Sequence, residues 1–476
     1  MTAVLALVPA VVTGWLLVRL SGVVGGLRPR WAAELCSLSL GAGLGVAIAG
    51  AAHLLLLRLG AASRASVAAL ELVLLVAVAY AQRYRREAPE PYWPAPPAFR
   101  WNGVLLAAAG AALALLVAIE VSNVRSAPYG NWDAFAIWNL RAKFLLAPGE
   151  LWRNAVSPLL ERTHPEYPLL LSSFIARTWR LAGATSPAAP LATAFLFAGA
   201  VLALLVALLA LSRGVAAGLL ACFVLLATTS YIEQTAWQYA DIPLSFYVLA
   251  TFGVVLPGEL DAARRRSSLA LAGALASCGA LTKNEGTAFL VFSGALYALF
   301  VWRSSGRPEM WRRVRWGLFG AFPGLLLLAD FRLLLAPPAD PLRSQTVSQI
   351  LAKFADPGRY AAVAGALVHE AVELGDGWSH PLVLLALLGA ALRFDLGTHL
   401  RSFIRFAAAT LAAMLLTYCA VYVARPEDLA WLLGTSLARL WAHLWPSALL
   451  LVFLALRPLG ESPAEKSSLP TKKKAR

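Results

Sequence analysis

The chain has 476 residues, 59% of them hydrophobic and 14% charged, with a mean hydropathy of +0.67 and a formal net charge of +15. Such apolar content over this length excludes an ordinary soluble enzyme and indicates a polytopic helical membrane protein. The basic residues sit mostly in short loops between apolar runs, the positive-inside pattern, so membrane lipid is expected as a partner and nucleic acid is not.

Cys36, Cys222, Cys278 and Cys419 all fall in or beside apolar runs, with the spacing of neither a disulfide framework nor a zinc site. The first apolar run has no basic segment before it and reads as a retained span rather than a cleaved leader. Spans are predicted at 2–20, 36–57, 66–81 and 102–120. The connection 82–101 carries Arg83, Arg85, Arg86, Arg100 and a proline-rich run from Pro91 to Pro97. It marks a cytoplasmic joint between an N-terminal accessory block, 1–100, and a core, 101–335.

Further spans are predicted at 188–211, 214–230, 242–256, 268–283, 287–302, 316–335, 380–393, 404–424 and 441–456, about thirteen in all. An outer loop and C-terminal spans occupy 336–458, and a basic tail, 459–476, ends TKKKAR. Basic loops at 264–266, 303–315 and 393–405 define the cytoplasmic side, which puts the N-terminus and the turns around Asp241, Lys283 and Arg425 outside. Arg58 and Arg64 are exceptions, falling in an outside loop.

Two outside loops are long, 122–187 and 336–378. Within the first, 133–146 and 168–182 have apolar residues at helical spacing with basic residues between them, the pattern of helices lying in the interface. No internal repeat suggests an inverted-repeat transporter.

Polar residues then converge on the outer face. YGNWDAFAIWNLRAKFL places Trp132 and Asp133 beside Arg141 and Lys143; HPEYP contributes His164, Glu166 and Tyr167; QYADIP contributes Asp241; and LTKNEG contributes Lys283 and Glu285. Charged residues beside a bilayer are costly and tend to be functional. Sugar transfer from a polyprenyl phosphate suits this set. Its leaving group is a phosphate, stabilised by cations such as Lys283, Arg141 and Lys143. One carboxylate suffices as general base for the acceptor hydroxyl, and in-line displacement inverts the anomeric centre without the paired carboxylates of a hydrolase. Plainer readings stand beside these. Asp133 and Asp241 are both favourable helix-capping residues, Lys283 sits where lysines snorkel, His164 suits a structural hydrogen bond, and interfacial aromatics need no function.

The order of these motifs resembles the GT-C superfamily of membrane glycosyltransferases, above all protein O-mannosyltransferases and the bacterial aminoarabinose transferase that modifies lipid A. The resemblance covers roughly 100–335. It implies an all-α integral membrane fold with interfacial helices in the first outer loop and an inverting transfer from a polyprenyl-phosphate sugar. The acceptor would be a lipid, glycan or protein hydroxyl at the extracytoplasmic face. Asp133 in WDAF matches the loop acid that is the family's proposed base, Asp241 in YADIP matches the acid opening a later span, and Lys283 resembles the lysine near the donor phosphate. TSLARLWAHLWP, with Arg439, resembles an outer-face segment near substrate. HPEYP departs from the family's His-Pro-Pro, and WDAF lacks a second acid after Asp133. A divalent cation shared by Asp133 and Asp241 is an open alternative.

The Ala-, Leu- and Arg-rich composition suits the inner membrane of a GC-rich bacterium. The rival readings are a flippase or transporter for lipid-linked sugars, a polysaccharide polymerase or ligase, and a relative that kept the fold without the chemistry. Apolar span centres disfavour the transporter, and the early position of the charged cluster disfavours the polymerase.

Overall fold

The computed structural model describes residues 2–84, 99–337, 345–374 and 379–459. Arg85, Arg86, the run from Pro91 to Pro97 and the tail from 460 onward lie outside the described residues. Within them the regular elements are helices, beside one isolated bridge between Phe394 and Leu456.

Among the described residues, nine helical elements are long and apolar enough to cross a membrane, or ten if a bent pair forms one span. They are α1 (Ala3–Ser21), α2 (Arg30–Arg58), α3 (Arg64–Ala81), α4 (Asn102–Ser126), α7 (Ala188–Ser212), α10 (Asp241–Leu260), α12 (Asn284–Asp330), α16 (Thr398–Ala424) and α17 (Leu429–Ala455). The protein is therefore a multi-pass membrane protein. Shorter helices complete the order: α5 (Asn139–Phe144), α6 (Leu170–Ala182), α8 (Val215–Leu226), α9 (Thr229–Ala236), α11 (Arg265–Ala280), α13 (Val347–Phe354), α14 (Pro357–Glu373) and α15 (Pro381–Leu392).

The expectation of about thirteen spans needs correction. The stretch 214–230 is broken: α8 ends before Ala227 and α9 leaves it at 73°. The stretch 380–393 forms a helix of only 12 residues, about 18 Å long against a hydrocarbon core of about 30 Å, whereas α11, with 16 residues, still joins the Arg264 end of the bundle to Lys283 beside Asp241. Hydropathy registers apolar content and does not see where a helix stops.

The two spans expected at 287–302 and 316–335 share the continuous helical stretch of α12, which doubles back on itself. A Cβ on Gly286 would lie 2.0 Å from the Gly279 carbonyl, and one on Gly324 would lie 2.2 Å from Ser277 Oγ. Gly286 and Gly324 thus meet the same end of α11, whereas in a straight helix they would be about 57 Å apart. The reversal falls at Gly306, whose φ of 82° and ψ of 169° break the helix; this backbone conformation is open to glycine.

At the centre stands α10, with its whole apolar window buried, packed by α7, α11 and α17. A helix apolar all round must be enclosed in this way or face lipid, and α4, with only 6% of its window buried, takes the second course. Close backbone approach joins α1 to α2, where a Cβ at Gly45 would come within 1.9 Å of the Ala10 carbonyl. Small residues permit such contacts between membrane helices.

Charge separates the ends of the bundle. At one end, Arg264 donates to the carbonyls of Gly22 and Val23 at 2.8 and 3.2 Å, Arg213 Nε to that of Leu454 at 3.0 Å, and Arg313 pairs with Glu259 at 3.2 Å. The opposite end of α10, about 30 Å away, begins at Asp241. Arg58 belongs to that second end and bonds Asp330 at 2.6 Å, so its charge, which broke the loop pattern, is neutralised in place.

The segment 168–182 forms α6, which crosses the Arg58 end of the bundle by touching Ala6 near the start of α1, His53 near the end of α2 and Leu281 beside Lys283, but it does not carry a solvated basic face. Most of α6 is buried, packed against α2 and α7. Its Arg177 turns inward to ion-pair with Glu71 of α3 and to donate to the Ala6 carbonyl, while Arg180 reaches His53 Nε2 at 3.3 Å. The basic residues that read as a wet face are internal ties.

Candidate active site

Four sequence-distant segments meet at the end of α10. The loop before α5 is held there by its backbone: Asn131 N–H donates to the Trp237 carbonyl at 3.2 Å. Gly130, with φ 76°, passes so near that a Cβ would lie 2.5 Å from the same oxygen. This brings Asp133 to Asp241, the first residue of α10. The turn between α11 and α12 supplies Lys283 and Glu285, and α17 supplies Arg439 and His443, four residues apart and therefore on one face.

Arg439 joins the two acids. Its Nη2 lies 2.5 Å from Asp133 Oδ2 and 3.2 Å from Asp241 Oδ2, and its guanidinium sits 4.7 Å from the Tyr239 ring centroid. Asp241 Oδ1 accepts from Lys283 Nζ at 2.8 Å and meets His443 Nε2 at 2.6 Å; His443 Nδ1 in turn meets Tyr418 Oη at 3.2 Å. Lys283 also pairs with Glu285 at 3.3 Å. Burial alone would favour neutral Lys283, but Asp241 and Glu285 outweigh it and hold the ammonium above its usual range. Burial, with the Asp133 charge, pushes the Tyr239 phenol up to about 12, so it stays protonated.

These contacts decide between the plainer readings and a shared site. Asp133 makes no side-chain helix cap, and Asp241 is the first residue of α10 rather than its cap, which is Ala240; both carboxylates are turned to Arg439. Lys283 is 2% exposed and does not snorkel. Asp241 is wholly buried with both oxygens engaged, so in this arrangement it holds Lys283, Arg439 and His443 and is closed to substrate. Asp133 and Arg439 keep 15% and 18% of their side chains exposed, and Glu285 20%. They form the open edge.

Arg141 does not belong to the edge. Its side chain is fully buried and donates to the carbonyls of Ala155 at 2.9 Å and Tyr167 at 2.6 Å, with longer bonds to His164 and Pro165. A phosphate cannot reach it, and the reading of Arg141 as a phosphate ligand is corrected to a structural tie. Lys143, one residue beyond the buried Ala142, is exposed and makes no contact with the acids. Trp132 is 56% exposed and packs edge-on against Phe135.

The HPEYP segment forms the adjoining wall. His164, at φ 49°, bonds Glu166 at 2.9 Å and stacks on Tyr167, which stacks in turn on Trp138 and lies 5.8 Å from Lys283 Nζ. Arg332 links this wall to the lysine turn, donating to the Glu166 carbonyl at 2.9 Å and to Asn284 Oδ1.

His443, Tyr418, Tyr239 and Arg332 escaped sequence reasoning. The four-residue spacing of Arg439 and His443 was the available signal for the first; the others carry none. Among the described residues no group of three or more His, Cys, Asp and Glu has metal-binding geometry. Between Asp133 and Asp241, the place a shared cation would need, lies the Arg439 guanidinium, so these acids do not fit a divalent ion in this arrangement. No family model, curated protein or solved structure matches the chain.

Chemically, the site combines a partly open carboxylate, two fixed cations and an aromatic wall at one end of a membrane bundle. Beside it, an apolar crevice of about 280 Å³ is lined by Leu55, Leu281, Leu326, Leu327 and Phe331, with Arg58 and Asp330 also on its wall.

Proposed function

We propose that the protein is an inverting glycosyltransferase that moves a sugar from a polyprenyl-phosphate donor to an acceptor hydroxyl at the extracytoplasmic face of a bacterial inner membrane. The observation that carries this reading is the bridge from Arg439 to Asp133, with Lys283 fixed on the far side of Asp241. It sets a candidate base beside cations suited to a departing phosphate.

In this reading the donor phosphate competes with Asp133 for Arg439. The freed carboxylate accepts the proton of the acceptor hydroxyl as that oxygen bonds to the anomeric carbon. The bond from that carbon to the phosphate oxygen breaks on the opposite face, and the electron pair leaves with the phosphate, whose charge Arg439 meets directly while the buried Lys283 contributes its field from behind Asp241. Asp241 acts as a positioning residue. Trp132 and His164, the latter backed by Tyr167, offer flat surfaces for a sugar ring. The apolar crevice, with Leu281 two residues before Lys283, has the chemistry to take a polyprenyl chain, and Arg332 adds a cation near its head.

The test is transfer from a radiolabelled polyprenyl-phosphate sugar in membranes carrying the native chain or Asp133→Asn. Loss of about a hundredfold or more is expected for removal of a general base. Equal transfer by both would remove Asp133 as the base. Absence of transfer from any such donor by the native chain, with lipid translocation intact, would favour a flippase.

A further inference from the structure

At the end of the bundle opposite the acids, several basic side chains are already engaged. Arg264 pairs with Asp261 at 3.0 Å, Arg265 donates to the Gly258 carbonyl at 3.1 Å, and Arg313 pairs with Glu309 at 2.6 Å and Glu259 at 3.2 Å. Arg266 of α11 and Arg315 of the second half of α12 differ. Their guanidinium carbons lie 5.7 and 5.5 Å from one ring, that of Trp316. Both are exposed, and among the described residues neither has a carboxylate partner. Two like charges from different helices are thus gathered on one indole, and Arg266 also sits in the first turn of α11, where positive charge opposes the helix dipole.

We propose that Arg266, Arg315 and Trp316 bind the phosphate of an anionic phospholipid from the leaflet on this side. An anion relieves the repulsion between the guanidiniums, and arginine is suited to phosphate oxygens. The surroundings select a lipid rather than free phosphate. Trp302 and Trp311 are 54% and 53% exposed on either side of the break in α12 at Gly306, as in an aromatic belt at headgroup depth. From the ring, Leu318, Phe319 and Phe322 continue as exposed apolar surface along α12, a track for the acyl chains of the same molecule.

The full chain, purified in detergent and stripped of lipid, is titrated with phosphatidylglycerol, phosphatidylcholine or inorganic phosphate, and bound molecules are counted by native mass spectrometry. Phosphatidylglycerol is expected to be retained, phosphatidylcholine not, and Arg266→Gln with Arg315→Gln to weaken retention about tenfold or more. A control of equal charge, Arg303→Gln with Arg307→Gln, is expected to retain the lipid like the native chain. Retention unchanged in the first pair, or lost equally in both pairs, overturns the site in favour of diffuse positive charge. Inorganic phosphate binding as tightly as the lipid and displacing it overturns the lipid assignment.

Discussion

Arg439 Nη2 lies 2.5 Å from Asp133 Oδ2 although the two residues are 306 positions apart in the chain. The contact closes the site by joining the loop before α5 to α17, and it makes the candidate base and the candidate phosphate ligand each other's partner.

Replacement of Arg439 by glutamine leaves the buried Asp241 with Lys283 and His443 and strips Asp133 of its ion pair. A loss of about 2–3 kcal/mol is expected from removing charge-assisted hydrogen bonds. Adding Asp133→Asn to Arg439→Gln is expected to recover part of that loss. Thermal unfolding of the two variants in detergent measures both; no recovery in the double variant would show that the pair is not coupled.

Lys283 has a folded pKa raised above its ordinary value, so it binds its proton more tightly folded than unfolded. Its stabilising contribution is fully present below about pH 10.4, the ordinary lysine value, and falls as the pH rises beyond that through the higher folded value. The stability gap between the native chain and Lys283→Met should therefore stay flat from about pH 6 to about pH 9. A gap that shrinks across this window would mean that the ammonium is not held by Asp241 and Glu285.

Arg141 ties four backbone carbonyls together. Arg141→Gln should cost about 2–4 kcal/mol by orphaning buried acceptors while leaving the donor KM of the folded fraction unchanged. A raised KM at unchanged melting temperature would return Arg141 to the substrate site.

The buried pair of Glu71 and Arg177 fastens α3 to α6. Glu71→Gln leaves Arg177 charged in a buried setting and should destabilise by about 3–5 kcal/mol, whereas Glu71→Leu with Arg177→Met should be far milder. Equal melting temperatures for Glu71→Gln and the native chain would contradict this.

The sequence by itself determined that the chain is helical and membrane-spanning, because segment hydropathy reports the transfer of each run into lipid one segment at a time. The charge asymmetry of the loops separated the basic turns from Asp133, Asp241 and Lys283, since charges cross a bilayer poorly in short loops. Tertiary structure alone decided the rest. The reversal between the two expected spans of α12 was legible in the basic run 303–315, but its placement at Gly306 within one helical stretch was not. Arg141 and Arg177 were indistinguishable in sequence from solvated loop arginines until their carbonyl and carboxylate partners, brought from distant segments, met them inside the bundle. The same holds for the site. Asp241 and Lys283 are close because α10 and α11 pack side by side, but the guanidinium that joins Asp241 to Asp133 arrives on α17, and only helix packing sets that register.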